Sequence, residues 1–301
     1  MRPVTSYLFE STTDPAVFLD RAGAHLALEP VLATVLAGSA HGVLEGGSAR
    51  PAHPQWWVSV LAGRGPEVVG VAMRTAPFRP YPMWVHQMPD DAAVALARWV
   101  HERGDDVTAA NGALPAVRVF MDELARLRGG AAYVHEHLRL FELRRLVEPR
   151  ATRGAARVAV PADLDLLTGW AAAFSVDADE QAGRPPEPLE HLDREWTRER
   201  LEQGLLWVWE VDGVPVHFSA RSPARFGAAR IGPVYTPGEH RGHGYASALV
   251  AHLSRGVLDE GARPTLFTDQ ANPVSNRIYQ ALGYEAVTDT ANLRLTTPAP
   301  A

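Results

Sequence analysis

The sequence of 301 residues contains no cysteine and no lysine, and each absence removes whole classes of chemistry. Without cysteine there are no disulfides, thiolate metal sites or cysteine nucleophiles, which fits a reducing cytosol. Without lysine there is neither a phosphate-loop lysine nor a Schiff-base lysine. We therefore expect a cytoplasmic protein in which arginine supplies every basic side chain other than histidine.

Further absences narrow the class of partner. The net charge is −6 and no basic block occurs, so no nucleic-acid partner is expected. No apolar run reaches the ~20 residues needed to span a bilayer, and the start lacks the apolar core of a signal peptide. No histidine cluster has metal-ligand spacing, so we expect no metal site. The remaining partner class is a small molecule or a peptide.

The length exceeds that of one typical domain, so two domains are expected. Residues 150–156 (RATRGAA) form a polar join, which predicts domains at 1–149 and 155–297. Both halves show the order helices, hairpin, helix, strand, helix, strands, which indicates an internal duplication. The alternative is an unrelated α/β domain in the first half.

The chain is organised around Gly232–Ala246 (GPVYTPGEHRGHGYA). A predicted strand at 229–236 runs into a turn and a helix that begins near Arg241. This strand, turn and helix start would aim unpaired backbone N–H groups and the positive end of the helix dipole at one point, which suits a phosphate or pyrophosphate. Gly242 and Gly244 leave out the Cβ atoms that would hold a ligand away.

Two motifs carry a resemblance to a known family. Arg241–Ala246 fits the R/Q-x-x-G-x-G/A motif of the GNAT acyltransferases, and Asn272–Tyr284 resembles their second conserved block. The resemblance covers residues 155–297. It implies an α/β fold with a mixed, mostly antiparallel sheet flanked by helices, two such halves in tandem. It also implies acetyl-CoA as cofactor, CoA as product, and an N-acetyltransferase acting on a primary amine through a ternary complex.

The first half lacks the corresponding turn. Its segment 76–90 (APFRPYPMWVHQMPD) has no glycine and several prolines, which cannot donate an N–H. We therefore expect 1–149 to be a degenerate GNAT-like copy without a phosphate site.

Pro233 lies inside the central strand, where proline predicts a bulge. A bulge there would separate the strand from the next one at 265–269 and leave backbone groups of Val234 and Thr236 free. In the family the pantetheine arm of CoA occupies such a gap, so the resemblance implies that Val234, Tyr235 and Thr236 hold it.

The pyrophosphate turn is predicted to comprise Arg241, Gly242, His243, Gly244, Tyr245, Ala246 and Ser247. A dinucleotide-binding fingerprint and a plain helix start are the alternatives. The fingerprint fits poorly because serine occupies its third glycine position.

Asn272 and Pro273 form an N-cap and first-turn pair, and Tyr279 follows two helical turns after Asn272. The resemblance implies that Tyr279 is the general acid for the departing CoA thiolate and that Asn272 contacts the cofactor. Asn276, one turn after Asn272, is a further cofactor candidate. The alternative for Tyr279 is a core tyrosine.

The sequence does not identify the general base, because the predicted central strand carries no acidic residue. Glu210, His217 and Glu239 are candidates by position, and for each the alternative is a solvated surface group.

Residues 175–188 are predicted to be an acidic loop over the acceptor side, followed by a helix at 189–202. Asp177–Glu180 in that loop would attract a cationic amine or simply be solvated.

Two further functions remain open. One is a CoA-binding or sensing module without turnover, and the other is a tandem acyltransferase resembling mycothiol synthase or the Fem-type transferases. The acceptor, the acyl chain, the role of the first half and a homodimeric state are not fixed by the sequence.

Overall fold

The computed structural model describes residues 6–47, 53–63, 65–187 and 192–296. The chain divides into two compact units, which we call the first and the second unit. The first comprises Met1–Leu138 with Thr288–Ala301, and the second comprises Arg139–Val287.

The helices and strands follow in the same order twice. The first series is β1 (Tyr7–Thr12), α1 (Pro15–Leu28), α2 (Thr34–Leu44), β2 (Trp56–Ala62), β3 (Val68–Arg74), β4 (Met83–Val85), α3 (Asp90–Glu102), β5 (Ala109–Ala113), α4 (Ala116–Arg128) and β6 (Ala132–Leu143). The second series is β7 (Ala155–Val158), α5 (Leu164–Gln181), α6 (Arg194–Glu202), β8 (Leu206–Val211), β9 (Val214–Arg221), β10 (Ala228–Tyr235), α7 (Tyr245–Asp259), β11 (Arg263–Asp269), α8 (Pro273–Ala281) and β12 (Tyr284–Leu295).

Strand pairing repeats as well. The first four strands of each series are antiparallel neighbours, and the fourth and fifth strands, β4–β5 and β10–β11, pair in parallel. The predicted fold, a mixed and mostly antiparallel sheet flanked by helices in two tandem halves, is confirmed.

The units differ from the predicted domains of 1–149 and 155–297 at their last strands. In the first unit β5 pairs antiparallel with the end of β12, from Thr290↔Ala113 to Arg294↔Ala109. The last five residues of β6, from Arg139 to Leu143, belong to the second unit, where β6 is the neighbour of β11. A polar join marks where a chain leaves one element, but it does not determine which strand completes a sheet. Residue 297, the predicted end of the second domain, lies outside the described residues.

The sheet of the second unit is apolar on both faces. One face packs on α7 and α8 through Ile231, Leu249 and Leu266, and we call it the α7 face. The other packs on α5 and α6 through Phe218 and Tyr235, and we call it the α5 face. Burial of both faces explains why these strands read as nearly continuous apolar runs.

Two local predictions around α5 need correction. The predicted loop at 175–188 is wrong in its first part, because α5 continues to Gln181 and carries the acidic residues of 177–180. The predicted helix at 189–202 begins within 188–191, which lie outside the described residues. Its ordered part, α6, begins at Arg194 and is capped by the Asp193 carboxylate, which accepts from the Trp196 N–H at 2.9 Å.

In the described ranges, no helix combines the length and the apolar character needed to cross a bilayer.

Candidate active site

The central strand β10 separates from β11 partway along its length. Within the described chain the two strands pair only from Ala228↔Arg263 to Arg230↔Thr265. Against β9 the register shifts between Ile231 and Val234, which is the bulge predicted at the Gly232–Pro233 pair. A bulge bends its strand and ends regular pairing. The structure therefore contains a gap between β10 and β11 on the C-terminal side of the bulge.

A turn with two left-handed glycines connects β10 to α7. Gly242 and Gly244 have φ values of 81° and 82°, a region that residues with a Cβ rarely adopt. The helix begins at Tyr245 and not near Arg241 as predicted, because a left-handed residue cannot continue a right-handed helix. Both glycines are exposed, so backbone is presented directly to solvent at this point.

The turn presents a row of free backbone donors. In the part of the chain that the structure describes, the six N–H groups of residues 242–247 have no hydrogen-bond partner, whereas the N–H of Ala248 donates to the Gly244 carbonyl at 3.0 Å. These donors surround the N-terminus of a 15-residue helix. Backbone N–H groups and the helix dipole together favour an anion at this position.

Side chains hold the turn in this shape. The His243 ring stacks on Tyr245 with centroids 5.4 Å apart, and its Nδ1 is 3.2 Å from the His240 carbonyl. Thr152 Oγ1 donates to the His243 carbonyl at 2.7 Å. The His240 and His243 carbonyls are thus engaged, while the N–H groups of 242–247 remain available.

Arg241 ties the turn to β10 and to α5. Its Nε donates to the Thr236 carbonyl at 3.0 Å, and its guanidinium forms an ion pair with Asp177 at 2.5 Å. The same carboxylate accepts from the Tyr235 hydroxyl at 3.0 Å. Burial and Asp177 raise the pKa of Tyr235 to about 12. Asp177, predicted to lie in a loop facing a cationic amine, is instead a helical residue that braces the turn at 241–247.

The backbone at the end of β10 is only partly free. The Thr236 carbonyl, expected to be available to pantetheine, accepts from Arg241. The Pro233 carbonyl accepts from Ser219 Oγ at 2.9 Å. Val234 packs against the core of the α7 face. The structure places these residues at the gap, and their contact with pantetheine stays a prediction.

His217, a predicted base candidate, is fully buried on β9. Its Nδ1 shares a hydrogen bond of 2.7 Å with Thr236 Oγ1, and its buried Nε2 has no partner in the described ranges. Burial lowers the pKa of His217 to about 3. The imidazole is therefore neutral at pH 7 and is a weak proton acceptor.

Glu210 lies on β8 and is engaged in an ion pair. Its carboxylate contacts Arg157 Nε at 2.5 Å, and Arg157 also contacts Asp163 at 2.7 Å. The paired carboxylates raise the pKa of Arg157, with Asp163 as the larger cause. The structure thus places Glu210 in an ion pair with Arg157, and its predicted role as a base stays a prediction. Glu239 is exposed on the turn at Gly238–His240.

The predicted cofactor residues of α8 make internal hydrogen bonds. Asn272 caps the helix by accepting from the Ser275 N–H at 3.1 Å, and its Nδ2 donates to Gln181 of α5 at 3.2 Å. Asn276 Nδ2 donates to the Asp269 carbonyl at 2.9 Å and to the Asn272 carbonyl at 2.7 Å. These bonds give both side chains a structural role, and their cofactor contact stays a prediction.

Tyr279 is nearly buried in the α7-face core, with an exposed fraction of 6%. Burial raises its pKa, so the phenol is protonated at neutral pH. Its hydroxyl has no hydrogen-bond partner among the described residues. The neighbouring Tyr284, with ring centroids 6.1 Å away, instead shares a 2.8 Å hydrogen bond with Ser254 Oγ.

Sequence reasoning missed an arginine that links α5 to β11. Arg184 pairs with Asp179 at 3.0 Å and with Asp269, the last residue of β11, at 2.5 Å. Asp179 also accepts from the Glu187 N–H at 2.9 Å. The end of α5 therefore contacts β10 through Asp177 and β11 through Arg184, on both sides of the gap. No sequence signal could find this link, because Asp269 lies 85 residues beyond Arg184.

Comparisons with known proteins agree with this arrangement. The family model described as FR47-like protein matches residues 224–294, which include β10, the turn, α7 and α8. No curated protein matches the sequence.

Solved structures resemble the fold over the whole chain. A GCN5-related N-acetyltransferase from Sphaerobacter thermophilus is 20% identical, with a TM-score of 0.59 over 98% of this chain and 97% of that one. An acetyltransferase of the GNAT family from Colwellia psychrerythraea is 13% identical, with a TM-score of 0.58 over 97% and 100%. A tandem GNAT protein from the clavulanic acid biosynthesis pathway is 14% identical, with a TM-score of 0.56 over 98% and 100%.

The predicted resemblance is thus confirmed: the chain has the tandem fold of the GNAT acyltransferases. Within it, residues 224–294 are the segment that matches the FR47-like family model, and they include the glycine turn.

Proposed function

We propose that the second unit is an N-acetyltransferase that moves an acetyl group from acetyl-CoA to a primary amine of a small molecule or peptide in a ternary complex. The observation that carries this proposal is the row of unpaired N–H groups at residues 242–247 beside the open gap of β10 and β11. The donors suit a pyrophosphate, and the gap suits an extended chain with its own amides.

Acetyl-CoA would supply an activated acetyl thioester. Residues 242–247 would hold its pyrophosphate, and the free edge of β10 around Val234 would hold its amide-bearing arm. This positioning fixes the thioester carbonyl beside the bulge, where an amine from the α5 face reaches it. The amine nitrogen forms a bond to the carbonyl carbon, and the bond to sulfur breaks.

Tyr279 would donate its O–H to the departing sulfur, because burial keeps the phenol protonated. The acceptor ammonium must lose two protons. It loses the first before attack, and because His217 is a weak acceptor and Glu210 is paired with Arg157, we assign that proton to water. The nitrogen loses the second after its bond to carbon forms, and that proton returns to Tyr279, which has given its own to the sulfur. The reactive species is then the neutral amine, and the rate should rise with pH up to the pKa of the acceptor.

The experiment that tests cofactor binding is calorimetric titration of CoA and acetyl-CoA. Gly244→Trp places a large side chain in the donor row, and we expect it to weaken binding at least about 100-fold. The matched control is Gly129→Trp, since Gly129 caps α4 of the first unit with φ 71° and a Cβ added there would meet no atom within 4 Å. Absence of binding to the wild type, or equal loss in both variants, contradicts the proposal.

The second candidate is a CoA-binding module without turnover. Two observations favour it: Glu210 is paired with Arg157, and burial lowers the pKa of His217 to about 3. The two candidates agree on CoA binding and differ only in thiol release from acetyl-CoA.

Tyr279→Phe separates the two candidates. We expect this variant to bind CoA like the wild type and to keep its stability, because its hydroxyl has no described partner. It should release thiol at least ~100-fold more slowly. The control Tyr284→Phe loses the Ser254 hydrogen bond and should cost about 1 kcal/mol of unfolding free energy without changing the rate. A wild type that binds acetyl-CoA and acetylates no amine supports the non-catalytic candidate.

A further inference from the structure

Two arginines of the second unit are held close together without an acidic partner. Arg200 lies near the end of α6, and Arg230 lies on β10 two residues before the bulge. Both are only partly exposed. Neither guanidinium has an ion-pair or hydrogen-bond partner among the described residues. In contrast, other arginines of this unit each contact a carboxylate, namely Arg157, Arg184, Arg221 and Arg241.

The alternation of side chains along β10 places Arg230 on the α5 face. Arg221 pairs with Glu260, just beyond α7, so it lies on the α7 face. Ile231 is opposite Arg221 in register and also packs into the α7-face core. Consecutive strand residues point to opposite faces, so Arg230 points toward α5 and α6.

Backbone hydrogen bonds connect the end of α6 to the strand residues around Arg230. The Leu205 N–H donates to the Arg200 carbonyl at 2.8 Å, and the Arg221 N–H donates to the Leu205 carbonyl at 2.9 Å. The next residue, Ser222, donates its N–H to the Arg230 carbonyl at 2.8 Å. Two guanidinium groups thus approach one region of the α5 face from a helix and from the central strand.

The electrostatics show that the two charges act on each other. Burial, and then the charge of Arg230, lower the pKa of Arg200 to about 10, and the smaller effect of Glu199 opposes this. Burial lowers the pKa of Arg230. Arg200 lies 4.4 Å from the Trp196 ring centroid, which stabilises its charge without satisfying its N–H donors. With a pKa of about 10, Arg200 stays charged at pH 7. The protein thus keeps two partly buried guanidinium groups beside the bulge without an acidic partner among the described residues.

We propose that Arg200 and Arg230 bind the acidic group of the acceptor, so that the substrate is an amine that also carries a carboxylate or a phosphate. An uncompensated buried charge is costly, whereas a bidentate contact between guanidinium and an oxyanion relieves that cost. The position, two residues before Gly232 and on the face opposite α7, would hold the acidic end while the amine reaches the gap. The inference rests on the proposed acetyl transfer.

A binding test does not depend on turnover. The melting temperature is measured with saturating CoA, which occupies the cofactor turn, while sodium succinate or sodium phosphate replaces sodium chloride at constant ionic strength. We expect both anions to raise the melting temperature of the wild type. Arg230→Met and Arg200→Met should weaken the apparent anion affinity at least about ten-fold.

The control is Arg198→Met, on the same helix but exposed and paired with Glu195 and Glu202. It should keep the wild-type anion response. Arg230→Met should also keep or raise the melting temperature in chloride, because it removes a repulsion and no described contact. A lower melting temperature in chloride together with an unchanged anion response would assign Arg230 a purely structural role and overturn the proposal.

A kinetic test distinguishes a carboxylate from a phosphate as the acidic group of the acceptor. Acetylation of β-alanine is compared with that of its methyl ester, and acetylation of O-phosphoethanolamine with that of ethanolamine. We expect the acidic member of one pair to have the lower KM, and Arg230→Met to raise that KM ten-fold or more with a smaller change in kcat. Equal KM values within both pairs contradict the inference.

The two proposals fail separately. Normal CoA binding without an anion response overturns the arginine site and leaves acetyl transfer standing. An anion response that depends on Arg200 and Arg230, in a protein that binds no CoA, supports the anion site and overturns acetyl transfer.

Discussion

At the end of its fourth strand the first unit keeps the sheet closed, whereas the second unit opens it. In the first unit β4 pairs with β5 up to its last residue, Val85↔Gly112. A Cβ at Gly112 would lie 2.0 Å from the Val85 carbonyl oxygen, so the two backbones are in contact. In the second unit pairing with β11 ends at Arg230, before the bulge.

The start of the helix that follows this strand also differs between the two units. The first turn of α3 carries Asp90 and Asp91, and the Ala92 N–H is already bonded to the Asp91 carboxylate at 3.1 Å. The first turn of α7 carries no acid, and the N–H groups of 242–247 are free within the described chain. One order of elements thus gives a closed sheet in one unit and a row of free N–H donors in the other. The difference comes from a few backbone positions.

The largest expected effect comes from a matched pair of glycine substitutions. Gly112→Ala should destabilise the protein by about 3 kcal/mol or more, because the new methyl group meets backbone that cannot move aside. Gly232→Ala should cost about 1 kcal/mol, because its Cβ meets nothing within 4 Å and only its φ of 142° is unfavourable. Urea unfolding measures both. Equal costs would show that the first unit is not closed at this point.

The second prediction concerns a feature that the units share, a buried histidine in each. Burial lowers the pKa of His86 in the first unit and of His217 in the second to about 3, against about 6.5 in an unfolded chain. The unfolded chain therefore binds more protons between these values, and stability falls as pH drops from about 6.5 toward 3. Each buried histidine should lower the free energy of unfolding by about 2 kcal/mol at pH 5 relative to pH 7.5.

His86→Gln and His217→Gln test this symmetry. The free energy of urea unfolding is measured at pH 5 and pH 7.5. From its pH dependence, each variant should take up about one proton fewer on unfolding than the wild type. A variant whose pH dependence equals that of the wild type would show that its histidine is accessible to protons in the folded protein. That result at His217 alone would restore it as a base candidate.

The smallest expected effect concerns the contacts of Asp177 that hold the glycine turn of the second unit. Asp177→Ala removes the ion pair with Arg241 and the acceptor of the Tyr235 hydroxyl. The partly exposed pair and the lost hydrogen bond should together cost about 1–2 kcal/mol of unfolding free energy. We also expect CoA to bind several-fold more weakly, because the turn loses its anchor. The control is Asp212→Ala, which removes an exposed pair with Arg153 and should leave CoA affinity unchanged.

Much of the site could be predicted because its signals are local. Glycines at 242 and 244 adopt the conformation that only glycine favours, and Pro233 marks the bulge. The predicted helix start near Arg241 is too early, since spacing alone does not show that the glycines precede the helix. The base candidates could not be judged from the sequence. The burial of His217 and the pairing of Glu210 depend on residues far along the chain.

By itself the sequence determined the order of elements in both units, the bulge and the glycine turn, because each follows from properties of neighbouring residues: hydrophobic period, a missing N–H or a missing Cβ. Only the tertiary structure decided which strand completes each unit, that Arg184 and Asp177 link α5 to both sides of the gap, and that Arg200 and Arg230 share one region without an acid. Those features arise from contacts between distant segments, where burial and charge depend on the packed neighbours and not on the local sequence.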